Sequence, residues 1–187
     1  MQDLKAPKDR DLFFSFQVDQ KTISDLSKEI VAINKDDDYL EQIYKASSFK
    51  YLRSPILVYI DSYGGNVYQC FGLISLIENS KTPVHTIVTG CAISCGFLIL
   101  IAGHKRFAHK HSTMLYHQVS NGVQSGKFMD MAQDLKEVER LQRKIEDLVL
   151  EKTKIGKKAL KKSLKQKTDW FIEPKAAKEL GVIDEII

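Results

Sequence analysis

The sequence predicts an α/β protein built on a largely parallel sheet, and three observations lead there. Pro55 to Ile60 (Pro-Ile-Leu-Val-Tyr-Ile) is a near-continuous apolar run, the pattern of a strand covered on both faces. Thr86 to Gly103 is uncharged throughout: a β-branched run, Ile87-Val88-Thr89, meets Gly90, and an apolar run from Phe97 to Ala102 is closed by Gly103. That stretch reads as a buried strand, a tight turn carrying Ser94, and a buried helix with a glycine cap. Strand-like and helix-like segments also alternate along the chain, which is how helices come to cover a parallel sheet.

Taken in order, residues 1–10 are polar, and the aromatic-rich Asp11 to Val18 predicts the first strand. A helix follows from about Gln20 to Ile33, because Ile23, Leu26, Ile30 and Ile33 recur on one face. Residues 34–53 are charged and aromatic without clean periodicity. Their triple acid, Asp36-Asp37-Asp38, reads as a solvated turn or loop rather than a cation site. After the strand at 55–60, Asp61-Ser62-Tyr63-Gly64-Gly65-Asn66 supplies turn chemistry, and Asn66 caps a helix over Val67 to Glu78. Pro83 restarts the chain into a strand from Val84 to Thr89, reached by a right-handed crossover. His104 to Ala108 and Thr113 to His117 predict two short strands, whereas Val119 to Gly126 is polar and shows no helical pattern. Phe128, Met131, Leu135, Val138, Leu141, Ile145 and Leu148 then mark a long helix from about Lys127 to Lys152. At roughly 40 Å it is long enough to wrap its own domain or to project toward another subunit. Ala159 to Leu164 and Lys175 to Leu180 are short helices, the second ended by Gly181, and Val182 to Ile187 closes the chain as a strand or extended tail. With no repeat, linker or low-complexity segment, one domain is expected.

Composition narrows the classes. Hydrophobic residues make up 43 % and charged residues 28 % of the 187, which suits a soluble globular domain that needs no disulfide or metal. Cys70, Cys91 and Cys95 are odd in number and sit in apolar settings, as reduced core residues of a cytoplasmic protein do. The N-terminus has no apolar core segment, so no secretory signal is expected. Thr86 to Gly103 only reaches the lower length limit of a membrane span and is interrupted by glycines, threonines and Ser94, so no membrane partner is expected. The net charge of +4 comes from lysines crowded between Lys152 and Lys167. Without interleaved aromatics they read as a solvated face, not a nucleic-acid site. Cys91-x3-Cys95 and the histidines at 104, 109 and 111 fit no metal template, and no cofactor is expected.

The two glycine-containing turns, Gly64-Gly65 and Gly90 to Gly96, follow two consecutive strands, so both belong on the rim formed by the strands' C-terminal ends. A backbone N–H from each turn can converge on one anion, the layout of an oxyanion hole. A serine on that rim needs a base. Of five histidines, His117 is distinctive because it ends an apolar strand, Met114-Leu115-Tyr116, where a loop begins. Asp169, between the lysine-rich segment and Trp170-Phe171-Ile172, is the best candidate for a carboxylate that orients it. An aspartate before an apolar run is more often a cap or turn residue, and spacing alone does not select this one.

In order and spacing these blocks resemble the Clp protease proteolytic subunit family (ClpP), from about Asp11 to Ile187. Asp61-Ser62-Tyr63-Gly64-Gly65-Asn66-Val67 is similar to the family's Asn-Ser-Pro-Gly-Gly turn, and Gly90-Cys91-Ala92-Ile93-Ser94-Cys95-Gly96 to its Gly-x-Ala-x-Ser-x-Gly block. Met114-Leu115-Tyr116-His117-Gln118, Asp169-Trp170-Phe171 and Gly181-Val182-Ile183-Asp184-Glu185-Ile186 match its Met-Ile-His-Gln-Pro, Asp-x-Phe and closing elements. The resemblance implies a ClpP/crotonase-like fold of repeated β-β-α units, with a head over about 11–118 and 153–187 and a projecting handle over about 119–152. It implies a serine endopeptidase with Ser94 as nucleophile, His117 as base and acid, Asp169 orienting His117, and the N–H groups of Gly65 and Cys95 as oxyanion hole. Gly64, Asn66, Val67, Val119, Ser120 and Asn121 would contact substrate. It further implies stacked heptameric rings acting on unfolded polypeptides delivered by a Clp-type ATPase unfoldase.

Three features depart from the family. Tyr63 replaces its proline, the segment before the first strand is short, and residues 34–53 look like an insertion. The last two set ATPase docking apart from the family pattern. A head-maturation peptidase of the phage type working without an ATPase, a catalytically silent subunit of a mixed ring, and a crotonase-like acyl-CoA enzyme are the alternatives.

Overall fold

In the computed structural model, which describes residues 9–120, 128–166 and 169–187, the chain lays down parallel strands from one edge inward. β1 (Asp11–Phe14), β2 (Ile56–Ser62), β3 (Val84–Ile93) and β4 (Lys105–Ala108) lie side by side in that order, all parallel. β3 is the long central strand. Its first half pairs with β4, and its last three residues pair instead with β5 (Thr113–Tyr116), Cys91 opposite Thr113 and Ile93 opposite Leu115. β5 pairs antiparallel with β6 (Trp170–Ile172), and β7 (Glu185–Ile186) lies beside β4. The fold is thus the mixed α/β, parallel-sheet class expected.

Gly90 does not end β3, as the sequence pattern suggested. The Asp61 carboxylate accepts from Cys91 N–H at 2.9 Å, and a side chain at Gly90 would run into that carboxylate. The pairing of β2 with β3 shifts register there and continues, with Ser62 opposite Ala92. β1 is shorter than expected, with Val18 touching the sheet only as a single bridge to Gly65. β6 was not anticipated at all.

The helices follow their apolar spacing. α1 (Gln20–Ala46) begins with a capping box in which Asp19 Oδ1 accepts from Thr22 N–H at 2.8 Å. α2 (Val67–Glu78) has the predicted limits, and Asn66 Oδ1 accepts from Tyr68 and Gln69 N–H. α3 (Cys95–Ile101) is buried over its whole length and ends on Ala102 rather than Gly103. α4 (Phe128–Lys152) packs only its C-terminal half into the core through Leu141, Ile145, Leu148 and Val149, and its Met129, Met131 and Leu135 remain exposed. α5 (Lys157–Gln166) buries Leu160 and turns its lysines to solvent, and α6 (Pro174–Glu179) precedes the left-handed Gly181. Among the described residues no helix is long and apolar enough to cross a membrane.

The largest departure is residues 34–53. α1 runs 13 residues past Ile33, to Ala46, and Asp37 is completely buried rather than solvated. The buried positions 23, 26, 30 and 33 are followed, one helical step later, by 37, so the stripe continues with a carboxylate where an apolar side chain was sought. Arg10 grips that carboxylate with two N–H···O bonds at 2.6 and 3.0 Å, and Tyr51 Oη and Thr82 Oγ1 each donate to it at 2.6 Å. Burial alone would raise the Asp37 pKa, but the hydrogen bonds from Arg10, Thr82 and Tyr51 outweigh it and hold the group below the usual carboxylate range.

Removing one partner of a buried ion pair strands the other. Asp37→Ala is expected to lose about 3–5 kcal/mol in denaturant unfolding. A depressed folded pKa contributes stability that is present above the unfolded value, about pH 4, and lost as pH falls through the folded value. An acid titration of stability should therefore be shallower below about pH 4 in Asp37→Asn than in the wild type.

Candidate active site

β2, β3 and β5 end on the same rim, and each is followed by a candidate residue. After β2 the chain turns through Gly64 (φ 94°) and Gly65 (φ 148°), both left-handed. A Cβ on Gly64 would lie 2.8 Å from Ser94 Cβ and 3.0 Å from Cys95 N, so only glycine lets this turn approach the one after β3. Val18 pins the turn from outside: its N–H donates to Gly64 O at 2.8 Å and its C=O accepts from Asn66 N–H at 2.7 Å. In a parallel bridge of this kind the N–H and C=O of the central residue, Gly65, leave on the other side. The Gly65 C=O accepts there from the Cys95 thiol at 3.3 Å.

After β3 comes Ser94, at φ 56° and ψ −118°. Such a backbone costs a non-glycine residue about 1–3 kcal/mol. It is held by the Ser94 N–H donating to Leu115 O at 3.0 Å and by Leu98 N–H donating to Ser94 O at 3.2 Å. Ser94 is the N-cap of α3, a position where serine ordinarily accepts from the first helical turn, yet its hydroxyl makes no such bond. The hydroxyl caps no helical N–H and faces the Cys95 thiol, whose pKa is lowered by the Cys70 thiol first and also by this hydroxyl. Cys95 N–H, at the first helical position, is one of the donors that a helix cannot satisfy internally.

The sheet register carries the remaining residues to the same place. Ile93 faces Leu115 across β3 and β5, so Ser94 is level with Tyr116, one residue short of His117. Tyr116 faces Trp170 across β5 and β6, so His117 and Asp169 take the next opposed positions. His117 is half-buried and Asp169 exposed. A small cleft of about 40 Å³ brings together Gly65, Val67, Ser94, Cys95, His117, Gln118, Val119 and Ser120 over an apolar floor of Leu98, Tyr116 and Ile145. Asp169 lies outside its lining. Among the described residues no hydrogen bond joins Ser94 to His117 or His117 to Asp169.

The other candidates sort by geometry. Gly64 supports the turn without lining the cleft, and Asn66 Oδ1 is committed to capping α2. Val119 N–H is already taken, by Gln142 Oε1 at 2.9 Å. Asn121 falls outside the described residues. His104 accepts from Val84 N–H at the opposite end of the sheet, and His85 lies in β3 near that end. The Cys91 thiol is pushed up to about 11 by burial and by Asp61, and burial also pushes the Cys70 thiol up, so neither is a thiolate at neutral pH. Leu98, Ile145 and Gln142 were missed as site neighbours. The first two carried only a core signal, and a glutamine on a charged helix face carries none.

The family model for Clp protease matches residues 4–187, and the chain belongs to that family. Two relatives from two strains of Bacteroides fragilis, both named ATP-dependent Clp protease proteolytic subunit, are 28 % identical over 181 residues. The match covers 96 % of this chain and 79 % and 74 % of the relatives. The protein is a serine-type peptidase.

Relieving the Ser94 backbone should be measurable without any substrate. Ser94→Gly is expected to gain about 1 kcal/mol in unfolding free energy, and Ser94→Ala, which keeps the Cβ, should gain little. Equal thermal midpoints for the two variants would contradict the strain.

Proposed function

We propose that the protein hydrolyses peptide bonds of unfolded polypeptides through an acyl-enzyme formed on Ser94. The observation that carries this is the strained, uncapped Ser94 at the start of α3, held against the Gly64-Gly65 turn. In this reading Ser94 Oγ attacks the scissile carbonyl carbon and His117 takes the hydroxyl proton. Gly65 and Cys95 N–H donate to the oxyanion as charge develops on it, a contribution of about 3–4 kcal/mol per donor. His117 returns the proton to the leaving amine, and water then releases the acyl group by the reverse sequence. Asp169 orients His117 and stabilises its charged form. Catalytic contacts are often long before substrate binds, and the unjoined side chains are compatible with that.

Assembly belongs to the same proposal. The exposed Met131 and Leu135 of α4 extend the helix's apolar stripe beyond its own core, and Phe13 and Phe16 are 70 % and 67 % exposed at the β1 edge. Such surface is characteristic of interaction sites, and it supports a handle that meets another ring and a head that meets neighbours within one, enclosing a chamber. The relatives' name supports a Clp-type ATPase as partner, and the free thiols of Cys70, Cys91 and Cys95 suit a cytoplasmic setting. That no hydrogen bond joins Ser94, His117 and Asp169 among the described residues also suits a silent subunit of a mixed ring.

One experiment separates these readings. A fluorophosphonate probe added to the assembled, homomeric protein should label Ser94 and leave Ser94→Ala unmodified. Loss of labelling in His117→Ala, with assembly unchanged by sedimentation, would assign the base. An assembled wild type that resists the probe would favour the silent subunit.

A further inference from the structure

We propose that Gln142, on α4, is a positioning residue for His117. This rests on the catalytic role proposed for His117 and extends the machinery to a helix outside the sheet. Gln142 Oε1 accepts from Val119 N–H at 2.9 Å, and its Nε2 donates to Glu146 Oε1 at 2.9 Å and lies 3.4 Å from Tyr116 Oη. The two groups it holds in the sheet-side segment, Tyr116 and Val119, bracket His117 and Gln118. A single amide therefore fixes both ends of the short segment that presents His117 to the cleft.

The orientation of the amide follows from its partners. Val119 N–H can only donate, and a carboxylate at Glu146 can only accept, so Oε1 must face the first and Nε2 the second. Glu146, one turn further along α4, thus holds Gln142 in the rotamer that reaches Val119. The anchor itself is firm. Tyr116 is 2 % exposed, packs edge-on against Phe97 of α3 at 5.9 Å, and sits on α4 beside the buried Ile145. Among the described residues His117 makes no hydrogen bond to Ser94 or to Asp169, so the backbone on its two sides decides where its imidazole can point. Without Gln142, the 117–119 segment loses the hydrogen bond that tethers Val119 to α4, and the base loses its alignment with Ser94 while the peptide-binding cleft stays in place. Alignment acts on the chemical step rather than on ground-state binding.

The test uses the full chain as an assembled homomer. Gln142→Leu is expected to slow fluorophosphonate labelling of Ser94 about tenfold and to lower kcat for a peptide substrate by a similar factor, with KM unchanged. The exchange variant Gln142→Glu with Glu146→Gln keeps an acceptor for Val119 N–H and reverses the donor and acceptor between 142 and 146. It should recover most of the lost rate. A purely structural role predicts a lower thermal midpoint with an unaltered rate below it. Wild-type labelling speed in a folded Gln142→Leu, or no recovery in a folded exchange variant, would overturn the inference. If the wild type itself is not labelled, the serine-peptidase reading fails instead, so the two failures are distinguishable.

Discussion

The structure depends on the way β3 divides its pairing. Val84 to Val88 is fastened on both sides, to β2 and β4, and this half carries the core. Beyond Gly90 the strand leaves β4 and takes β5 as neighbour, and that change of partner brings His117 to the rim where Ser94 sits. Had β3 stopped at Thr89, the turn into α3 would have no strand beside it. The Ser94 N–H would then have no Leu115 carbonyl to bind, and the positive φ would have nothing to hold it. The bond from Asp61 to Cys91 N–H is what lets the strand continue past Gly90.

Burial explains why so costly a backbone persists. α3 is apolar from Cys95 to Ile101 and all of it is buried, so moving Ser94 into a relaxed conformation would drag the helix out of the core. Burying a side chain such as Phe97, Leu98 or Ile99 is worth about 1.5–3 kcal/mol each, so a strain of about 1–3 kcal/mol is outweighed by the helix behind it. The neighbouring turn is fixed independently, by Val18 from one side and by Ser62 Oγ, which accepts from Gly64 N–H at 3.2 Å and donates to Phe16 O at 2.6 Å. Two rigid turns of separate origin therefore meet without either having to adapt to the other.

Much of this was legible in the residues, and the exceptions have physical causes. α2 could be bounded to the residue because its cap, its apolar face and its end lie within one uninterrupted pattern. Ser94 and Gly65 were found because glycine and serine at strand ends mark turns. α1 was cut short because a hydropathy stripe cannot contain Asp37, and the compensation for burying it comes from Arg10, Tyr51 and Thr82, up to 45 residues away. β6 is three residues long and exists only through β5. Gln142 gave no signal, since its shortest bond to the sheet side is to the backbone N–H of Val119, and backbone groups have no sequence.

Asp37 and Ser94 are also placed at opposite ends of the same strands. Arg10 precedes β1, Tyr51 and Ser54 precede β2, and Thr82 precedes β3, so the buried carboxylate gathers the points where three parallel strands begin. Gly65, Ser94 and His117 follow β2, β3 and β5, where strands end. In a parallel sheet these are different faces of the protein. A polar cluster satisfied entirely by protein groups suits the first, because nothing there has to move or react. At the second, among the described residues, the Ser94 hydroxyl caps no helical N–H, which is costly for folding and suits the chemistry proposed there. Because the strands are parallel, the stabilising network can be complete at one end without consuming the groups needed at the other.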